Sequence, residues 1–232
     1  MQSCLFYSSF YAILNAMKRI CCLLILFLCF VTFLSAQEHP DALSAYRTGR
    51  SLESSGKIDA AYEKFKEASD ICLAELQENS RNMESYVVLC WSFFRMGKYQ
   101  ESLDYSKKAL KINPNEYRII ENLGETYFYL KNYSESLKCF EEYVDNLPHG
   151  DRISSAYFFI GEIYRIIKKP NHADIAYSYA VREDPDIALW WYKLGLVREE
   201  TANVAGAKAA YNRALALNPS YTEARNALNR LH

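Results

Sequence analysis

The chain has 232 residues; half of them are apolar and 24% are charged, as in an ordinary globular protein. Its formal net charge is -1, so the charge gives no indication of a nucleic-acid-binding surface. Only eight glycines and six prolines occur, which disfavours an all-β protein and favours a helical one.

The N-terminal segment, residues 1–36, has the pattern of an export signal. The basic pair Lys18–Arg19 precedes an apolar run, Ile20–Leu34, and two small residues follow. A secretory signal peptide typically has a basic patch, an apolar stretch of about 15 residues and small residues at its cleavage site. The apolar run is also short for a membrane-spanning helix. We predict cleavage after this segment, a short linker over residues 37–41, and export to the periplasm or the extracellular space. An uncleaved anchor is the alternative, and Met17 is the expected true start.

From residue 42 onward the sequence is built of repeats. Pro114 and Pro148 are 34 residues apart, as are Pro185 and Pro219. Proline ends a helix because its ring removes an N–H donor and clashes with the preceding turn. Small residues recur at the eighth and twentieth positions of each unit, where we expect two helices to contact. The predicted units are residues 42–75, 83–116, 117–150, 154–187 and 188–221.

These units resemble the tetratricopeptide repeat family, whose pattern is W-x2-L-G-x2-Y, A-x3-F and P. The resemblance implies an all-α fold, a right-handed α-solenoid of five helix-turn-helix repeats with a polar capping helix over residues 222–232. It also implies a non-catalytic protein–protein interaction scaffold whose ligands bind the concave face lined by the first helices. The best-matching unit contains Trp191, Leu194, Gly195, Ala207, Tyr211, Ala214 and Pro219.

Two departures from the period predict local changes. The first two units begin 41 residues apart, at Ala42 and Met83, and an apolar stripe continues through Cys72. We therefore predict a lengthened second helix in the first repeat. Tyr143 occupies a column that is alanine in other units, and we expect it to change the stacking between the third and fourth repeats. A disulfide between Cys72 and Cys90 is the alternative to two buried thiols.

The sequence lacks a recognisable catalytic or metal-binding constellation. Its four histidines lie in the linker, in turns and at the C-terminus, and none shares a helical face with cysteine or carboxylate ligands. Glycine-rich phosphate loops are also missing from the sequence. We therefore expect no enzyme activity, no metal and no cofactor.

We predict that a protein or peptide binds in an aromatic, acidic groove on the concave face. The aromatic residues would hold apolar side chains of a peptide or helix, and the carboxylates would attract basic groups. Asn122 is the one residue that matches the carboxylate-binding clamp of chaperone-binding family members, which argues against such a clamp. The predicted groove residues are Trp91, Phe94, Arg95, Glu121, Glu125, Phe128, Phe158, Glu162 and Tyr192.

The alternative function is a carrier of a small apolar or aromatic solute that serves a transporter, which would need a closed cavity. No nucleic-acid partner is expected, and membrane association is expected only through a partner or an uncleaved signal. Because the exposed ends of solenoids often stack, a homodimer is left open.

Overall fold

The computed structural model describes residues 41–231, which contain eleven α-helices and no β-strand. The odd-numbered helices α1 to α9 are the first helices of five repeats, and the even-numbered ones are the second helices. This arrangement confirms the predicted all-α solenoid. The predicted signal peptide and all but the last residue of the predicted linker lie outside the described residues. The helices are α1 (Ala42–Ser54), α2 (Ile58–Glu78), α3 (Met83–Arg95), α4 (Tyr99–Ile112), α5 (Tyr117–Tyr129), α6 (Tyr133–Asn146), α7 (Ile153–Ile166), α8 (Pro170–Glu183), α9 (Ala188–Glu200), α10 (Val204–Leu217) and α11 (Thr222–Arg230).

Consecutive helices pack on one another along the whole described chain. The first helices of repeats one to four also contact each other, through α1 with α3, α3 with α5 and α5 with α7. Each repeat thus covers an apolar face that its neighbour cannot bury alone. Residues 42–231 belong to one compact unit with its own hydrophobic cores, so we expect this unit to fold without the preceding segment. None of its helices has the length and apolarity needed to cross a membrane.

A glycine in the first helix faces an aromatic ring of the second helix in four of the repeats. A β-carbon placed on Gly161 would lie only 2.6 Å from the ring of Tyr177, closer than packed carbon atoms approach. The predicted close approach of the two helices at the eighth position is confirmed in these four repeats, and a ring of the second helix lies opposite the glycine. The four pairs are Gly49–Phe65, Gly124–Phe140, Gly161–Tyr177 and Gly195–Tyr211.

Two repeats have serine where the others have alanine at the twentieth position. The hydroxyl of Ser136 donates a hydrogen bond of 2.7 Å to the carbonyl oxygen of Gly124. The hydroxyl of Ser102 donates one of 3.1 Å to the carbonyl oxygen of Cys90. Both hydroxyls are buried and satisfied, so serine links the two helices of a repeat where alanine only permits their approach.

The lengthened helix of the first repeat is confirmed. Helix α2 has 21 residues and α4 has 14, a difference of seven. Cys72 lies in a core with Phe65, whereas Cys90 lies in another core beside Tyr86. Cys90 carries a free thiol, so the alternative of a Cys72–Cys90 disulfide is not realised. Burial raises the pKa of the Cys90 thiol to about 12, which makes it unreactive.

Tyr143 is buried at the junction of repeats three and four. Its hydroxyl oxygen accepts a 3.3 Å hydrogen bond from the backbone N–H of Arg152, in the turn that precedes α7. Tyr143 therefore holds this longer turn against the second helix of repeat three. The expected change of stacking angle stays a prediction.

Ion pairs connect the first helix of each repeat to the next one, and we call them the inter-repeat ion pairs. The acid always belongs to the earlier helix, and the base belongs to the later helix or, for Arg152, to the turn before it. They are Glu53–Arg95 at 3.5 Å, Glu84–Arg118 at 2.7 Å, Glu121–Arg152 at 3.0 Å, Glu162–Lys193 at 2.9 Å and Glu199–Arg230 at 3.4 Å.

Candidate functional site

A groove of about 490 Å³ is formed by α1, α3 and α5, together with the end of α6 and the turn before α7. Because α1, α3 and α5 are first helices that pack side by side, their inward residues form one continuous wall. The residues lining the groove are Tyr46, Arg50, Trp91, Phe94, Arg95, Arg118, Glu121, Asn122, Glu125, Tyr143, Leu147, His149, Gly150, Asp151 and Arg152.

One wall of the groove is aromatic. The rings of Tyr46 and Trp91 have centroids 5.4 Å apart, and Trp91 keeps part of its surface exposed. Phe94 is buried and is fixed by the rings of Tyr99 and Tyr129, at 5.5 and 5.4 Å. These contacts hold the aromatic side chains in place, so the wall offers rigid apolar surface to a ligand.

The floor of the groove contains two buried carboxyl groups, those of Glu121 and Glu125, which are 5% and 6% exposed. The Nε atom of Arg152 lies 3.0 Å from Oε1 of Glu121, and its Nη2 atom lies 2.5 Å from Oε1 of Glu125. A buried carboxylate needs a partner of opposite charge, and Arg152 supplies it for both. The basic group that meets these acids therefore comes from the chain itself.

The two carboxyl groups share a single arginine, and this affects their protonation. Burial, followed by the nearby charge of Glu125, raises the pKa of Glu121, although Arg152 opposes the change. Glu121 and Glu125 together therefore carry less negative charge than two exposed carboxylates would, and Arg152 balances what remains, so the floor of the groove has little net charge. The rim differs, because Arg50 and Arg95 share one carboxylate, that of Glu53, at 3.4 and 3.5 Å. This end of the groove has an excess of positive charge.

The structure brings five of the nine predicted groove residues together in this lining: Trp91, Phe94, Arg95, Glu121 and Glu125. The other four do not line it. Phe128 is half-buried against Phe159, with ring centroids 5.1 Å apart. Phe158 stacks on Trp190 at 5.3 Å. Tyr192 lies between Tyr211 and Tyr221, at 5.9 and 5.1 Å.

Glu162, the ninth predicted residue, is the centre of a separate polar cluster in repeats four and five. The Tyr177 hydroxyl donates a 2.5 Å hydrogen bond to its Oε1 atom, and the Lys193 ammonium lies 2.9 Å from the same atom. Burial raises the pKa of Glu162, but the bonds from Tyr177 and Lys193 outweigh it and the pKa lies below its ordinary value. Glu162 is therefore ionised, and its carboxylate is bonded to Tyr177 and Lys193 of the chain itself.

Sequence reasoning missed Arg152 and Arg118. Arg152 lies in the three extra residues between repeats three and four, outside the repeating register, so no column of the repeat indicated its position. The only sign of it in the sequence was the three extra residues in the spacing of repeats three and four. Arg118 is the second residue of α5 and precedes the positions that were expected to face the groove. Its Nη2 atom lies 2.7 Å from Oε1 of Glu84 in the preceding repeat. Among residues 41–231, no group of three potential metal ligands occurs.

Comparisons with known proteins agree with the repeat architecture. Models of the tetratricopeptide repeat match residues 84–116, 117–146 and 175–222. These matches, together with similar solved structures, confirm that the chain contains tetratricopeptide repeats. Repeats of this kind stack into solenoids with extended concave binding surfaces, and the fold suggests the class of protein–protein interaction scaffolds.

Individual relatives are similar at low identity. The tetratricopeptide protein TTC0263 from Thermus thermophilus is 18% identical, over 82% of this chain and 98% of that one, with a TM-score of 0.61. YrrB, described as a tetratricopeptide protein with an unusual peptide-binding site, is also 18% identical, over 82% and 92%, with a TM-score of 0.56. BBSome complex member BBS4 from Bos taurus is 27% identical over 106 residues, 46% of this chain. The chain spans only about 20% of the length of the curated relatives it matches.

Proposed function

We propose that this protein is a non-catalytic scaffold that binds a peptide or helix of a partner protein in the groove of repeats one to three. The observation that carries the proposal is the groove itself, about 490 Å³ with an aromatic wall beside arginine side chains. Tryptophan, tyrosine and arginine are the residues that contribute most binding energy at protein interfaces. The peptide-binding site of YrrB, a protein of the same fold, adds support.

The chemistry of the groove suggests how a partner would bind. An apolar side chain would pack on the exposed part of Trp91, next to Tyr46. An acidic side chain would pair with Arg50 or Arg95, which have only one carboxylate between them. Glu121 and Glu125 are held by Arg152, so they form a polar floor and would not recruit basic groups. The favoured partner segment therefore carries apolar and acidic residues.

We also propose that the scaffold works outside the cytoplasm, in the cell envelope or the extracellular space. The support is the basic, apolar and small-residue pattern of residues 1–36. Export of a reporter fused after residue 36 tests this, and a reporter that stays in the cytoplasm contradicts it.

A binding experiment with matched variants tests the groove. The wild-type chain is used to capture partners from an envelope extract, in parallel with Trp91→Ala and with Tyr62→Ala. Tyr62 is a matched control, because it is an exposed aromatic residue of α2 that does not line the groove. We expect Tyr62→Ala to retain the partner and Trp91→Ala to weaken binding by about 30-fold or more, as for a central interface residue. Equal binding by both variants would show that the partner binds elsewhere.

The carrier function remains a second candidate because of the groove volume. About 490 Å³ falls within the range of small-molecule sites, roughly 300–1,000 Å³. Native mass spectrometry of the purified chain distinguishes the two functions. A small apolar molecule that is retained by wild type and lost in Trp91→Ala would favour the carrier, whereas a protein partner with the same dependence favours the scaffold.

A further inference from the structure

The turns inside the five repeats form one edge of the solenoid, which we call the lysine edge. These turns are residues 55–57, 96–98, 130–132, 167–169 and 201–203. They contain five lysines, Lys57, Lys98, Lys131, Lys168 and Lys169, and no acidic residue. The turns between repeats, on the opposite edge, contain four acids and two arginines, namely Glu116, Asp151, Asp184, Asp186, Arg81 and Arg152. The two edges therefore differ in charge.

The lysine edge also exposes large apolar side chains next to its lysines. Leu130 is 38% exposed and directly precedes Lys131, and Ile167 is 42% exposed and directly precedes Lys168. Ile58, the residue after Lys57, is 61% exposed. Apolar side chains that gather on one surface usually mark a site of interaction.

The backbone presents two of these lysines at the tips of their turns. Lys131 and Lys168 adopt the left-handed conformation, with φ of 61° and 60°. The corresponding residues of repeats one and two are Gly56 and Gly97, with φ of 75° and 72°. Glycine adopts this conformation without strain, and lysine does not. Both lysines are exposed, so the turn directs charged side chains into solvent.

We propose that the lysine edge of repeats three and four binds the surface of an anionic lipid bilayer. Lys131, Lys168 and Lys169 would contact lipid phosphates, while Leu130 and Ile167 would lie at the level of the headgroups. A lysine beside an exposed aliphatic residue suits this interface, because the charge stays with the phosphates and the apolar side chain leaves water. An acidic protein surface would satisfy the lysines but not the neighbouring aliphatic side chains.

Nearby acids do not neutralise the patch. The closest in sequence to Lys131 is Glu135, and the ammonium of Lys138 lies 2.8 Å from its carboxylate. Repeat four has no acidic residue in the first turn of α8. The patch does not include any residue lining the groove, so this inference is independent of the proposed groove function.

Vesicle sedimentation tests the proposal. The protein used begins at residue 37, because the apolar run Ile20–Leu34 would itself bind lipid. The vesicles are phosphatidylcholine with or without phosphatidylglycerol, at low salt. The test variant changes Lys131, Lys168 and Lys169 to glutamine. The control variant changes Lys66, Lys107 and Lys111, three exposed lysines of α2 and α4, to glutamine, so both variants lose the same charge.

We expect the chain to sediment with vesicles that contain phosphatidylglycerol and not with phosphatidylcholine alone. The test variant should lose on the order of 100-fold in partition coefficient, about fivefold for each lysine near the surface. The control variant should keep most of the binding, and Leu130→Ser with Ile167→Ser should weaken it further. No sedimentation with anionic vesicles, or equal loss in both lysine variants, overturns the proposal. Binding to immobilised polyglutamate but not to vesicles would assign the edge to an acidic polypeptide instead.

Discussion

Replacement of Gly161 by alanine tests the contact that defines each repeat. The new β-carbon would lie 2.6 Å from the ring of Tyr177. The ring cannot move away easily, because it is fully buried and its hydroxyl is bonded to Glu162 at 2.5 Å. Overpacking of a core costs about 1–3 kcal/mol. Alanine gains at most about 1 kcal/mol over glycine in a helix.

The cost of the clash therefore exceeds the gain in helix propensity. We expect Gly161→Ala to lower the free energy of unfolding by about 2 kcal/mol. For a chain of this length that corresponds to a Tm decrease of about 4–8 °C. Thermal and urea denaturation followed by circular dichroism measure it. In a Tyr177→Leu background the clash is removed, so the same glycine change should become neutral or stabilising. A higher stability of Gly161→Ala in the wild-type background would refute the close contact.

Three further predictions concern buried polar groups. Arg152→Ala removes the counter-charge of the buried Glu121 and Glu125 and should cost about 3 kcal/mol, the lower end for a broken buried pair because the raised pKa of Glu121 favours its neutral form. Burial and the charge of Glu125 raise the folded-state pKa of Glu121 above its ordinary 4.5, so its contribution to stability is greatest below pH 4.5 and decreases as the pH rises towards and through the raised pKa. Glu121→Gln should remove that decrease in urea titrations. Ser136→Ala breaks the bond to Gly124 and should cost about 1 kcal/mol, whereas the exposed neighbour Ser134→Ala should change little.

Each of these predictions has an outcome that contradicts it. An Arg152→Ala chain as stable as wild type would mean that Glu121 and Glu125 are solvated. An unchanged pH profile in Glu121→Gln would mean that another group is responsible for the decrease. Equal effects of Ser136→Ala and Ser134→Ala would mean that the bond between the two helices of repeat three contributes nothing.

Much of the fold could be predicted because the repeat constrains it strongly. The proline spacing placed the helix pairs, and the glycine column placed the close contact that Gly161 and Tyr177 make. The lengthened α2 followed from the distance between the first two repeats. These features depend on the local sequence and on the repeat period, and both can be read from the amino-acid sequence.

The groove was less predictable because it depends on contacts between repeats. Phe158 occupies the expected inward column, but the next repeat places Trp190 against it. Glu121 was expected to attract a partner's basic groups, yet Arg152, from a turn outside the register, already binds it. A repeat pattern shows which positions face inward. It does not show which of those positions the neighbouring repeat covers or neutralises.

The inter-repeat ion pairs have a consequence for how a chain of this kind can change in length. Repeats two, three and five each present a base to their predecessor and an acid to their successor, as repeat three does with Arg118 and Glu121, whereas repeat four relies on Arg152 from the turn before it. The pairs lie at different heights along the helices. Glu84 and Arg118 are each the second residue of their helix, whereas Glu53 and Arg95 lie in the last turns of theirs. Each repeat is therefore matched to its own neighbours, and duplication or loss of an internal unit would separate an acid from the base at its height. The electrostatic pattern thus favours this order of repeats.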